Sequence, residues 1–201
     1  MKHLLPLLLL LTCPALAQEG GLLPNASFET TAEDRPKGWR VFLNPESASG
    51  DFYIVSGQEG VETHTGSAAL QFHFPSGADI IQATWMADPK YGGAAVTPKE
   101  YTCSFWIRGE DLPPDNHVWV SVVGYGADGK RTGELGRSDY LTRKDLQNGA
   151  WTQVRFRFPV TDDSGVARVA PSVVFKANPG GTMAPASPEA RVIVDDLQIT
   201  P

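Results

Sequence analysis

The chain is written in short runs that alternate apolar and polar residues, and this period of two constrains it more than any other feature. In 101–108, Tyr101, Cys103, Phe105 and Ile107 fall on one side, with Thr102, Ser104, Trp106 and Arg108 on the other. In 117–125, Val118, Val120 and Val122 oppose Trp119, Ser121, Val123 and Tyr125. In 152–158, Val154, Phe156 and Phe158 oppose Gln153, Arg155 and Arg157. A strand with one clean apolar face buries it against a second layer and leaves the other face to water. Strands are predicted at roughly 26–29, 38–43, 51–55, 67–74, 79–86, 100–108, 117–126, 151–160, 168–176 and 190–199. Most of the 20 Gly and 16 Pro fall between these runs, where turns require them. Asp128-Gly129 is a hairpin signal, and Gly66 supplies a residue free to take positive φ. A short turn near 142–146 is the one helical signal. The segment 178–189, with Pro179, Pro185 and Pro188 around Gly180-Gly181, reads as a loop or flap. The pattern is all-β, a sandwich or a barrel.

The first residues bear on compartment. Lys2 and His3 precede the apolar run Leu4–Leu11, and Ala15-Leu16-Ala17 supplies small residues for cleavage. That is the pattern of a secretory signal peptide over 1–17, which leaves one domain over 18–201 and a secreted or periplasmic protein. A lipoprotein reading through Cys13 stays open beside it. The apolar run is too short to span a bilayer, which takes about 20 residues. With a formal net charge of −6 and no basic run, the chain is not read as a nucleic-acid binder. Loss of Cys13 with the signal leaves Cys103 alone, so no internal disulfide is expected. In its apolar segment Cys103 reads as a small core residue. The mature chain is read as a monomer.

Several segments carry a resemblance. Asn25-Ala26-Ser27-Phe28-Glu29 and Pro36-Lys37-Gly38-Trp39 open it, and His64-Thr65-Gly66-Ser67-Ala68-Ala69-Leu70 follows. Val96-Thr97-Pro98 through Ile107, then Trp151–Phe158 and Val192–Leu197, complete it in order. Together they resemble the CenC-like carbohydrate-binding modules of the galactose-binding-like jelly-roll fold. The resemblance implies a two-sheet antiparallel jelly-roll sandwich with adjacent termini. It also implies a structural calcium ion held by an N-terminal Glu, a C-terminal Asp and backbone carbonyls. Here those residues are Glu29 and Asp196, with Asp195 next, expected in the first and last strands. Two carboxylates brought together repel unless a cation or a proton intervenes. Solvated strand-end charges or turn hydrogen-bonders are the alternative.

Trp106 and Trp119 are the candidate sugar platforms. An indole that shields about 80 Å² of apolar surface contributes on the order of 2 kcal/mol. Arg108, Arg155 and Gln82 are polar neighbours suited to sugar hydroxyls, and Gln153 is another. If both tryptophans point outward, alternation is expected to place them with Arg108, Ser121 and Arg155 on one sheet. Core packing is the other reading of either ring, and it is the preferred one for Trp39 and Trp151. Trp85 and Tyr91, flanking a loop, are a weaker second pair. Arg108, Arg155, Arg157 and Lys176 suggest an acidic glycan, unless cross-strand carboxylates neutralise them. There is no G-x-S-x-G, H-E-x-x-H or C-x-x-C pattern to indicate catalysis. The reading is a non-catalytic binder of a poly- or oligosaccharide. A structural or adhesive surface protein is the alternative, and a polysaccharide-degrading enzyme is a further one.

Overall fold

A computed structural model describes residues 21–32, 35–44, 51–55, 62–74, 82–146, 149–176 and 190–201. The expected signal peptide and the expected flap at 178–189 lie outside these residues. Among the described residues thirteen strands follow in order: β1 (Thr31–Ala32), β2 (Arg35–Pro36), β3 (Trp39–Asn44), β4 (Asp51–Val55), β5 (Ala68–Phe74), β6 (Gln82–Ala87), β7 (Ala94–Ala95), β8 (Lys99–Glu110), β9 (His117–Tyr125), β10 (Arg131–Arg137), β11 (Thr152–Val160), β12 (Arg168–Lys176) and β13 (Ala190–Thr200). They form two antiparallel sheets, one ordered β10-β9-β12-β6-β3 with β7 also on β12, the other β11-β8-β13-β5-β4. The small β1–β2 pair stands apart. The fold is an all-β sandwich, as the alternation and the resemblance imply.

Its core is the layer between the sheets. Tyr101, Cys103, Phe105 and Ile107 of β8 and Val118, Val120 and Val122 of β9 are buried, as are Val173 and Phe175 of β12 and Val192, Val194, Leu197 and Ile199 of β13. Trp85 is wholly inside, and its indole N–H donates to the Gln71 carbonyl in the opposite sheet at 2.9 Å. Its expected place at a loop edge is therefore corrected. The apolar partners around it outweigh any use as a surface platform. Trp39 is also core, edge-on to Phe28 at 5.3 Å. Burial raises the Cys103 thiol well above its ordinary pKa, in keeping with a core residue.

Two readings change and one holds. Residues 26–29 form a turn rather than a strand, with Phe28 at φ 63 and fully buried. The turn expected near 142–146 is present, closed by Leu146 N–H to the Thr142 carbonyl. Strand β10, with three residues of glycine or threonine and no apolar face, was not legible from alternation. It forms because Asp128-Gly129 closes a hairpin, Gly129 taking φ 79. The first and last described segments meet, since Leu22 N–H donates to the Ile199 carbonyl and Leu197 N–H to the Ala26 carbonyl.

Replacing Phe105, at the centre of β8 and without exposed surface, by Ala should cost about 3–5 kcal/mol in urea unfolding. A loss below 1 kcal/mol would mean that the inter-sheet layer is not what holds the fold.

Candidate functional site

The outward face of the six-stranded sheet reads as rows across β9, β12, β6 and β3. One row is His117, Lys176, Gln82 and Asn44, all polar. The next is Trp119, Val174, Thr84 and Phe42, apolar at both ends. Beyond it lie Ser121, Ser172, Met86 and Arg40. Strands sit roughly 4.8 Å apart, so four of them span about 14 Å. Phe42 is 47% exposed.

The Trp119 end is organised by rings. Tyr140, 42% exposed, stands T-shaped to Trp119 at 5.1 Å and stacks on His117 at 4.9 Å. Arg137 fixes Tyr140 by donating to its hydroxyl at 2.5 Å. Leu141 pairs by two backbone hydrogen bonds with Val118, which holds Tyr140 beside the sheet. Nothing in the spacing of 140 relative to 119 announces this contact. The 126–141 hairpin return brings it there. Gln82 lies in the polar row, where its amide donates to the Thr84 hydroxyl at 3.2 Å.

Trp106, Arg108 and Arg155 are elsewhere. They sit on the outer face of the other sheet, on β8 and β11, where Trp106 faces Gln153 and Ser104 faces Arg155. The expectation that Trp106 and Trp119 share a sheet is overturned. Alternation fixes a side within a strand, whereas the connection at 111–116 carries the chain from one sheet to the other. One face of Trp106 is covered, since His64 stacks on it at 4.1 Å, and Trp151 stands edge-on to His64 at 5.3 Å. Trp151 also packs over Ala69 and Ile193. The cations on this sheet are largely matched. Arg108 meets Glu62 at 3.0 Å and Glu110 at 2.5 Å, Arg157 meets Glu100 at 3.3 Å, and Arg155 bonds Gln153.

Glu29, Asp195 and Asp196 converge on one loop, residues 63–68. The Asp195 carboxylate accepts from the backbone N–H groups of His64 and Thr65 at 2.9 and 3.1 Å, and from Asp196 N–H. Asp196 takes the His64 imidazole at 2.7 Å and the Thr65 hydroxyl at 2.6 Å. Glu29 accepts from Ser67 N–H, Ser67 hydroxyl and Ala68 N–H at 2.8, 2.5 and 2.9 Å. Consecutive strand residues normally point to opposite faces. Here Asp196 sits at φ 49 in a break of register between Asp195 and Gln198, so both carboxylates reach the same loop. Gly66 is demanded by the clasp, because φ is 61 and a Cβ there would lie 2.3 Å from Glu29 Oε1. Glu29 lies in a loop, contrary to its expected place in the first strand. Burial, with Asp196 adding repulsion, pushes the Asp195 carboxyl up to about 7 despite the hydrogen bonds that oppose it. Among the described residues, no three His, Cys, Asp or Glu side chains form a cluster fit to hold a metal. The carboxylates are aimed at donors on the loop, so a calcium ion would have to take some of these bonds over.

No family model and no curated protein matches the chain. Solved structures do. TmCBM61 in complex with beta-1,4-galactotriose aligns with TM-score 0.55 and 17% identity, over 89% of this chain and 97% of its own. A cyclase from Fischerella sp. TAU aligns with TM-score 0.57 and 13% identity, over 90% and 96%. The arabinose-bound MgGH51 α-L-arabinofuranosidase aligns with TM-score 0.56 and 14% identity, over 90% of this chain but 26% of that one. Identities this low establish the β-sandwich fold that carbohydrate-binding modules share. That fold is carried by binding modules and by enzyme chains alike, so function must come from the site.

Asp195→Ala should cost at least about 2 kcal/mol, because two inward amide N–H groups lose their acceptor. Chemical denaturation checks this. A neutral result would show that the loop is not anchored through this carboxylate.

Proposed function

We propose that the chain is an exported, non-catalytic carbohydrate-binding module of CenC-like type, which holds an oligo- or polysaccharide on the outer face of the six-stranded sheet. The observation that carries this reading is the pairing of two rows, one with an aromatic ring at each end, Trp119 and Phe42, and one polar from His117 to Asn44. A pyranose has an apolar face and a rim of hydroxyls. Laid along the rows, it meets rings on one flank and hydrogen-bonding groups on the other. A span of about 14 Å suits a short stretch of glycan rather than one sugar. Trp119 and Gln82 belong to this surface, whereas Trp106, Arg108 and Arg155 would have to serve a separate one.

A glycan array followed by affinity electrophoresis tests the reading. Trp119→Ala should weaken binding at least tenfold, or about 1.4 kcal/mol. The ring is only partly buried, so its loss should cost less stability than that of a core tryptophan, which loses about 3–5 kcal/mol. Binding to no glycan together with capture of a protein partner would favour the adhesive reading. Turnover of a polysaccharide would favour an enzyme.

Calcium is part of the proposal through Glu29, Asp195 and Asp196. An ion there would relieve two adjacent buried carboxylates and add to the clasp on 63–68. Millimolar calcium should then raise the melting temperature, and EGTA should reverse the rise. An unchanged melting temperature in both would leave hydrogen bonds alone as what closes the loop.

A further inference from the structure

A second cleft lies at the far end of the same sheet, on β9 and β12. Six residues separate Tyr125 from Trp119 along β9, about 20 Å of strand, so this cleft is distinct from the aromatic rows. It has a volume of about 280 Å³ and is bounded by Pro89 and Lys90 on one side and the 126–129 turn on the other. Tyr125 and Arg168, cross-strand partners, line it between those walls. The volume is near the lower end for small-ligand sites, about 300 Å³.

Arg168 is set differently from the other cations. Arg40, Arg108, Arg137 and Arg157 each lie against a carboxylate. Arg168 is half-buried and held by carbonyls, its Nε donating to Pro89 at 2.6 Å and its Nη2 to Gly93 at 3.0 Å. No carboxylate pairs with it among the described residues. A guanidinium has five N–H donors, so those two bonds leave its terminal edge available for a bidentate acceptor. The loop that holds it is firm. The Asp88 carbonyl accepts from the N–H groups of Tyr91, Gly92 and Gly93, and Asp88 Oδ1 accepts from Lys90 N–H. Lys90 adds a second positive charge at the rim, its ammonium 5.0 Å from the Tyr91 ring centre. Asp128, the carboxylate lining the cleft, is turned to Lys130, which it meets at 3.3 Å and whose N–H it accepts at 3.0 Å.

We propose that this cleft is a second binding site, for a single carboxylate-bearing sugar unit, a uronate, with Arg168 as the bidentate partner of its carboxylate and Lys90 as a supporting charge. A sugar ring is small enough for the space and brings hydroxyls for the Gly126–Gly129 backbone. The site stands whether or not the aromatic rows bind glycan.

The test is a titration of the full ¹⁵N-labelled chain at pH 7 with glucuronate and galacturonate, with glucose and galactose alongside. One of the uronates should shift the amides of Lys90, Gly126 and Gly129 saturably, and the neutral hexoses should not. Arg168→Gln should weaken that binding at least tenfold. Because it also removes two bonds to the 88–93 loop, Lys90→Gln is the second variant, expected to weaken binding severalfold with an unchanged melting temperature. The proposal is overturned by no saturable shift at these amides, by equal response to neutral hexoses, or by acetate binding as tightly as the uronates.

Discussion

The apolar layer between the sheets sets everything else, because it fixes the register of every long strand. A slip of one residue in β8 would expose Phe105 and Ile107 and bury Trp106 and Arg108. The same holds for β9, where Val118, Val120 and Val122 inside dictate that Trp119 and Ser121 point out. The surface rows are thus a by-product of core register. Trp119, Val174, Thr84 and Phe42 line up because four strands are each locked by what they bury on the opposite side. A binding face built this way is preorganised, since its side chains stand on ladder-bonded backbone rather than on loops.

Closure of the molecule is electrostatic in a different sense. Three carboxylates, two of them fully buried, hold the 63–68 loop and tie residues near both termini to it. Burying a carboxylate is costly unless donors meet it. Asp195 takes three N–H groups, and its pKa still rises, so desolvation exceeds what the donors return. The left-handed Asp196 is the local distortion that makes the arrangement possible. Charge on the outer five-stranded face is largely matched, whereas Arg168 in the cleft beside β12 is held by carbonyls rather than by a carboxylate. The two faces of the sandwich therefore differ in chemistry as well as in position.

Much of the fold was legible. The sides assigned to Tyr101–Arg108, Val118–Tyr125 and Gln153–Phe158 are the observed ones, because a period of two is a local property of extended backbone. Cys103 as a core residue and the Asp128-Gly129 turn follow from equally local chemistry. The candidate site was legible only in part. Trp119 and Gln82 share a face, but Trp106, Arg108 and Arg155 belong to the other sheet, and Tyr140 and Phe42 were missed. Neither omission had a local signal. Phe42 is outward on a strand whose alternation is weak, and Tyr140 reaches Trp119 only through the return of the chain after β10.

By itself, then, the sequence determined the element type, the inward and outward side of each long strand, and the turns that glycine permits. Those depend on φ/ψ preference and on hydrophobic period, which are read within a few residues. The tertiary structure alone decided which sheet each strand joins, and so which outward side chains are neighbours. The crossover at 111–116 separates β8 from β9, and the bulge at Asp196 turns two consecutive carboxylates to one loop. Both result from satisfying the core and the backbone hydrogen bonds of distant segments at once, a condition that no single segment carries.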